Sequence, residues 1–116
     1  MVITLDRFAA YSSACSTLAA IRRATSAWPR DLADRAQAAA TSVIAKTAEA
    51  IDQEPTSSAR RLYLRDAIVD ALVLASICDL ASSHGLTSAD LDESLRHASR
   101  TVSMLGLSFH ATSTAG

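Results

Sequence analysis

The stretch Ala67-Ile68-Val69-Asp70-Ala71-Leu72-Val73-Leu74-Ala75-Ser76-Ile77-Cys78, set within Ser57 to Gly85, decides the fold. It is the most apolar run of the chain, and Asp66, Asp70 and Asp79 interrupt it too closely for a membrane span. Leu64, Ile68, Ala71, Ala75 and Cys78 recur at steps of four, three, four and three, which is one face of a helix. Val69, Leu72, Val73, Ile77 and Leu80 widen that face beyond a single stripe. A helix apolar over so much of its surface is expected to touch several neighbours at once. The reading is all-α: an antiparallel up-down-up-down four-helix bundle with this segment as its central, most buried helix. Leu72 is then a core residue, and Leu72→Asp is expected to unfold the protein, because an unpaired buried charge is costly.

The flanks of this helix carry stop and start signals. Gln53-Glu54-Pro55-Thr56 reads as a turn, with Thr56 or Ser57 as the cap of helix three. His84-Gly85 ends it, since glycine takes the left-handed conformation that closes a helix. Thr87 then caps helix four, with Asp90 at the third helical position and Leu86 stapling onto Leu91. Leu91, Leu95, Ala98, Val102, Leu105 and Phe109 form its inner stripe. Residues 1–110 are expected to make up the bundle and 111–116 a flexible tail.

Helix two is expected from Pro29 or Asp31 to Asp52. Leu32, Ala36, Ala39, Val43 and Ala50 mark one face, with Ile44, Ala48 and Ile51 beside it. The run Ala38-Ala39-Ala40 lets a neighbouring backbone approach closely. Helix one is expected from Leu5 to Ala27, capped by Thr4 and stapled by Ile3 and Phe8. Its stripe is Phe8, Tyr11, Cys15, Leu18 and Ile21. Arg22 and Arg23 suit the negative end of its dipole, and Trp28-Pro29 terminates it. Short connections between such long helices imply antiparallel neighbours.

Composition narrows the function classes. A chain of 116 residues is one domain. A net charge of −1 argues against binding nucleic acid or anionic membrane through overall charge. Met1-Val2-Ile3-Thr4-Leu5-Asp6 lacks the basic and apolar regions of a signal peptide. Cys15 and Cys78 lie on apolar faces and read as reduced thiols of a cytoplasmic protein.

No residue constellation announces catalysis. No serine sits in a nucleophile elbow and no glycine-rich phosphate loop exists. Asp66 and Asp70 lie one turn apart, but the glutamate and Glu-x-x-His partners of a di-metal bundle are missing. They read as salt-bridged or interface carboxylates, with Arg65, Arg96 or Arg100 as available partners. His84, His97 and His110 have no ligand spacing; His84 is expected against the end of helix three, the other two on the surface. Catalytic, metal and cofactor residues are therefore expected to be none.

The basic residues are more informative. Arg60, Arg61 and Arg65 cluster at the start of helix three, where positive charge opposes the helix dipole. They read as phosphate contacts or as partners of Glu49, Asp52 or Glu54 at the same end. Arg22, Arg23, Arg30 and Arg35 lie toward the opposite end. Arg35 and Lys46 of helix two complete the candidate set of nucleic-acid or partner contacts.

Three places resemble a known family. Tyr11, Ala14 and Leu18, followed by Thr25-Ser26-Ala27-Trp28-Pro29, resemble an aromatic-rich helix ending in Thr-x-x-Phe-Pro. Leu32-Ala33-Asp34-Arg35 leading to Ala39-Ala40-Thr41-Ser42-Val43-Ile44-Ala45-Lys46-Thr47-Ala48-Glu49-Ala50 resembles Leu-x-x-Gln, then Arg-Ala-Ala-x-Ser-Ile-x-x-Asn-Ile-Ala-Glu-Gly. Ser103-Met104-Leu105 with Leu107 resembles the Met-Leu ending of a last helix. The family is that of small bacterial four-helix bundles encoded in intervening sequences of ribosomal RNA genes. It includes the accessory variability determinant of diversity-generating retroelements. Ala38, Lys46 and Ala50 depart from its Arg, Asn and Gly, and its Gly-Ser of helix three has no counterpart, although Asp70 can take the acidic position.

The resemblance implies a homopentamer around a central channel, and for the retroelement members nucleic acid and a reverse transcriptase as partners. The sequence matches the fold-bearing positions better than the basic ones. The expected function is a non-enzymatic, self-associating scaffold or accessory protein acting with nucleic acid or a reverse transcriptase. The alternative is a small protein-binding regulatory bundle with no nucleic-acid role. Self-association also follows from apolar surface on helices two and three in excess of what one bundle interior can hide.

Overall fold

The computed structural model describes residues 8–115. Among them are four helices and no strand: α1 (Ala9–Ala24), α2 (Arg30–Ile51), α3 (Ser58–Ser83) and α4 (Ala89–Ala115), with one 3-10 turn, Thr25–Ala27, closing α1. α1 packs on α2 and α4, and α3 packs on α2 and α4. The cross-section is a square with α1 and α3 on one diagonal, in a rod of 45 × 25 × 21 Å. This is the expected all-α four-helix bundle.

The helix ends follow from local chemistry. Trp28 is extended (φ −84°, ψ 158°), the conformation that a residue before proline adopts. Pro29 accepts the first bond of α2, from the Ala33 N–H at 3.0 Å. The Ser57 hydroxyl accepts from the Arg60 N–H at 3.1 Å and caps α3. Gly85 has φ 84°; its N–H donates to the Ser82 carbonyl, and the Leu86 N–H reaches the Ala81 carbonyl, both at 3.0 Å. That bond pair is a Schellman closure. The closure uses the chain through Leu86, so α4 opens one residue later than expected. Ser88, not Thr87, is its cap, accepting from the Leu91 N–H at 3.1 Å.

α4 continues to Ala115, past the expected boundary at 110, so residues 111–115 belong to the helix. Thr112 is buried there. The expected Thr4 cap and the Ile3 half of the staple lie outside the described residues.

Each helix turns one seam inward with alternating steps of three and four. On α2 it is Ala33, Ala36, Ala40, Val43, Thr47 and Ala50. On α3 it is Leu64, Ala67, Ala71, Leu74, Cys78 and Ala81. On α4 it includes Leu91, Ser94, Ala98, Thr101 and Leu105. Such seams favour shallow crossing angles and long contacts. Many of the side chains are Ala, Ser or Thr, so the helices can lie close together. Between α1 and α4 the contact is hydroxylic: Ser13 Oγ lies 2.7 Å from Thr101 Oγ1. Thr101 donates to the His97 carbonyl at 2.8 Å, and Thr17 to the Ser13 carbonyl at 2.9 Å. Among the described residues, no buried side-chain nitrogen or oxygen lacks a partner.

The expected central position of helix three is corrected. α3 is one corner of the square, and it makes no substantial contact with α1. Leu72 is 52 % exposed and is not a core residue. Its seam stands two positions from the inner one, which is about 200° around a helix and therefore nearly the opposite side. The two seams are both apolar, but only one can face the bundle.

An ion cluster joins α1 to α4. Arg23 Nε lies 3.2 Å from Asp90 Oδ1, and Nη2 lies 3.1 Å from Glu93 Oε2. His97 Nε2 lies 3.4 Å from Glu93 Oε1. The Arg23 hydrogen bond, then that of His97, holds the Glu93 carboxyl below its ordinary value of 4.5.

Three outcomes are expected. Leu72→Asp keeps the helical circular dichroism and melts cooperatively, whereas Leu74→Asp, a buried position, unfolds the chain. Leu74→Ala costs about 2–5 kcal/mol in urea titrations. Because folding lowers the Glu93 value, its contribution is complete above pH 4.5 and is lost as the pH falls through the folded value. Arg23→Ala removes that part of the acid dependence, measured as the melting midpoint between neutral and acid pH. The exposure of the cluster keeps the effect small.

Candidate interaction surface

The first two turns of α3 bring Arg60, Arg61 and Arg65 to the end of the bundle where α1 begins and α4 ends. The three do not share one environment. The Arg61 guanidinium lies over the Phe109 ring, 4.8 Å from its centroid. Arg60 lies 5.8 Å from the Phe8 centroid and donates to the Gln53 carbonyl at 3.4 Å. Arg65 Nη2 is 3.9 Å from Asp66. Arg61 and Arg65 line an open groove of about 350 Å³ with Ser58, Leu62 and Phe109. Arg60 lines a second groove, of about 300 Å³, with Pro55, Thr56 and Ser108.

The acidic partners expected for this cluster are not the ones it has. Among the described residues, no ion pair joins these arginines to Glu49, Asp52 or Glu54. Lys46 takes Glu49 at 3.8 Å and lies 5.8 Å from the Tyr63 centroid. Instead the cations sit against aromatic faces, which attract them through the ring quadrupole. Phe8 and Phe109 are over a hundred residues apart in the chain, so only the antiparallel closure of α1, α3 and α4 places both rings beside the arginines. Nothing in the spacing announces that. Cations beside aromatic rings can contact phosphates while a ring stacks on a base.

Arg35 is not part of this end. It is exposed on α2, eleven residues before Lys46, which is about 16 Å along a helix. Lys46 lies over Tyr63 where α2 packs on α3, whereas Arg61 meets Phe109 of α4, so the three arginines share one end of the bundle and Lys46 and Arg35 stand apart from them.

Asp70, Asp66 and His84 make local contacts. Asp70 accepts from the Ser42 hydroxyl and ties α3 to α2, and Asp66 lies by Arg65; neither pairs with Arg96 or Arg100. His84 Nδ1 lies 3.1 Å from the Leu80 carbonyl, at the end of α3 as expected. Among the described residues, no three His, Cys, Asp or Glu side chains converge as a metal site. Both cysteines are free. Burial, with the Asp79 charge second, pushes the Cys78 thiol up to about 11.

The largest feature is the outer seam of α3. Leu62, Val69, Leu72, Val73 and Leu80 are each between 47 % and 52 % exposed. With Leu107 of α4 they are the exposed large apolar side chains of the described residues. The corresponding outer positions of α2 are Asp34, Arg35, Ala38, Thr41, Ala45 and Glu49, which are polar or small. The second apolar patch expected on helix two is therefore corrected. Val43 and Ile51 are buried in the core, and Ile44 and Ala48 are half-buried. They belong to the interior because the inner seam of α2 is built mostly of alanine and leaves room for them.

No helix of the described residues is long and apolar enough to cross a membrane. No protein-family model matches the chain, and no curated relative is found for it.

Proposed function

We propose that this chain is a non-enzymatic, self-associating four-helix bundle that serves as a scaffold or accessory protein. The observation that carries the reading is the outer seam of α3, an apolar stripe on the side of the helix away from its own core. Stripes of this kind usually mark association sites. The absence of a nucleophile elbow or phosphate loop in the sequence supports a binding role over a catalytic one. The number five rests on the family resemblance alone, and a ring needs two different patches on each copy.

Nucleic acid, or an enzyme that acts on it, is the partner that the arginine–aromatic end supports. Arg61 and Arg65 flank an open groove with Phe109 on its wall. The net charge of −1 confines such binding to this end. A regulatory bundle that binds a protein and no nucleic acid is the competing reading, supported by the same apolar seam.

Titration with single-stranded RNA and DNA at low and moderate salt separates the two. The first reading expects binding that weakens with salt and a triple variant, Arg60→Ala/Arg61→Ala/Arg65→Ala, with a salt slope shallower by about two to three. Binding that is absent in the wild type even at low salt rejects the nucleic-acid role. For self-association, light scattering at micromolar concentration is expected to give a multiple of 12.2 kDa, and a monomer mass rejects the reading.

A further inference from the structure

The outer seam of α3 is periodic as well as apolar. Leu62, Arg65, Val69, Leu72, Ser76, Asp79 and Ser83 are all exposed and follow steps of three, four, three, four, three and four. That is the spacing of a coiled-coil seam, apolar at Leu62, Val69 and Leu72 and polar at its other four positions, with Val73 and Leu80 alongside it. From Leu62 to Leu80 it runs about 27 Å. Its charges are unequal at the two ends: Arg61 and Arg65, with Asp66 beside Arg65, at one, and Asp79 at the other.

The geometry points to a second copy of this chain as the occupant, with the two α3 helices antiparallel about a two-fold axis near the middle of the seam. The inference rests on the self-association reading and specifies its geometry. In this pairing Val69 of one copy faces Leu72 of the other, and Val73 of each copy flanks the axis. At each end Leu62 meets Leu80, and Asp79 enters between Arg61 and Arg65, so the second copy competes with phosphate for these two arginines. A parallel pairing sets Arg65 against Arg65 and Asp79 against Asp79, like charges in direct opposition. The apolar pattern permits both orientations, and the charges select the antiparallel one.

The same seam serves both copies, as a two-fold contact requires, and no second patch is needed. The arginines can make the exchange. Arg65 and Asp66 are adjacent on the helix surface, 3.9 Å apart and both well exposed, so their contact gives way at little cost. Arg61 is exposed and can keep the Phe109 ring beside it.

Sedimentation equilibrium of the full chain and a charge-reversal cycle test this. The wild type is expected at twice 12.2 kDa. Arg65→Glu and Asp79→Arg are each expected to weaken the dimer about tenfold or more, since each change occurs at both ends of the two-fold contact. The double reversal Arg65→Glu/Asp79→Arg is expected to recover most of that loss. Leu72→Asp is expected to give a monomer that keeps its helical circular dichroism. A monomeric wild type overturns self-association and this geometry together. A mass of five copies keeps self-association and overturns the two-fold pairing. A dimer in which the single reversals have no effect, or in which the double reversal brings no recovery, overturns the antiparallel pairing alone.

Discussion

Small side chains at inward positions are the constraint on which this bundle depends. Alanine, serine and threonine hold most of the seam positions of α1 and α2, and they set how near the axes can come. Close axes make the interior thin. A thin interior accommodates one apolar stripe from each helix and no more. Larger residues such as Ile44 and Leu95 then fill the shoulders of the core, half covered by neighbours. The surplus falls on α3, whose second stripe has nowhere inside to go.

Hydroxyls in such an interior could be costly, but here they are satisfied within a turn of where they arise. Thr17, Thr47 and Thr101 each donate to the carbonyl four residues earlier. This lets a polar side chain occupy a small space without an unpaired group. Ser13 and Thr101 then couple two helices directly, which adds direction to a contact that alanine alone would leave free to slide.

Much of the fold is legible in the sequence because the punctuation is strong. Trp28-Pro29, Ser57 and Gly85 stop or start helices for local reasons, and the structure uses each of them. The orientation of α3 is half legible: Leu64, Ala71 and Cys78, read from the spacing as one face, are buried, but Leu72, read as core, is outside. Leu62, Val69 and Leu72 are larger and more apolar than Ala67 and Ala71, yet the alanines are inside. Hydropathy ranks stripes by their apolar content, whereas packing selects the stripe whose volume fits the space between α2 and α4. The arginine end is half legible: the charge cluster is local in sequence, but the rings that receive Arg60 and Arg61 come from the two ends of the chain.

The α1–α4 contact joins the first helix to the last. Ser13 and Thr101 are 88 residues apart, so their bond spans most of the chain. Closing so long a loop has a large entropic cost unless the intervening helices are already in place. The pairs α1–α2, α2–α3 and α3–α4 are joined by short turns and can form first. The hydroxyl seam is then the last edge of the square to shut, a latch whose weak, directional bonds cannot drive collapse but can select the correct alignment among collapsed forms. Once shut, that edge is also held by the Arg23 ion cluster, so native-state fluctuations should begin at the sparser contact between α1 and α2.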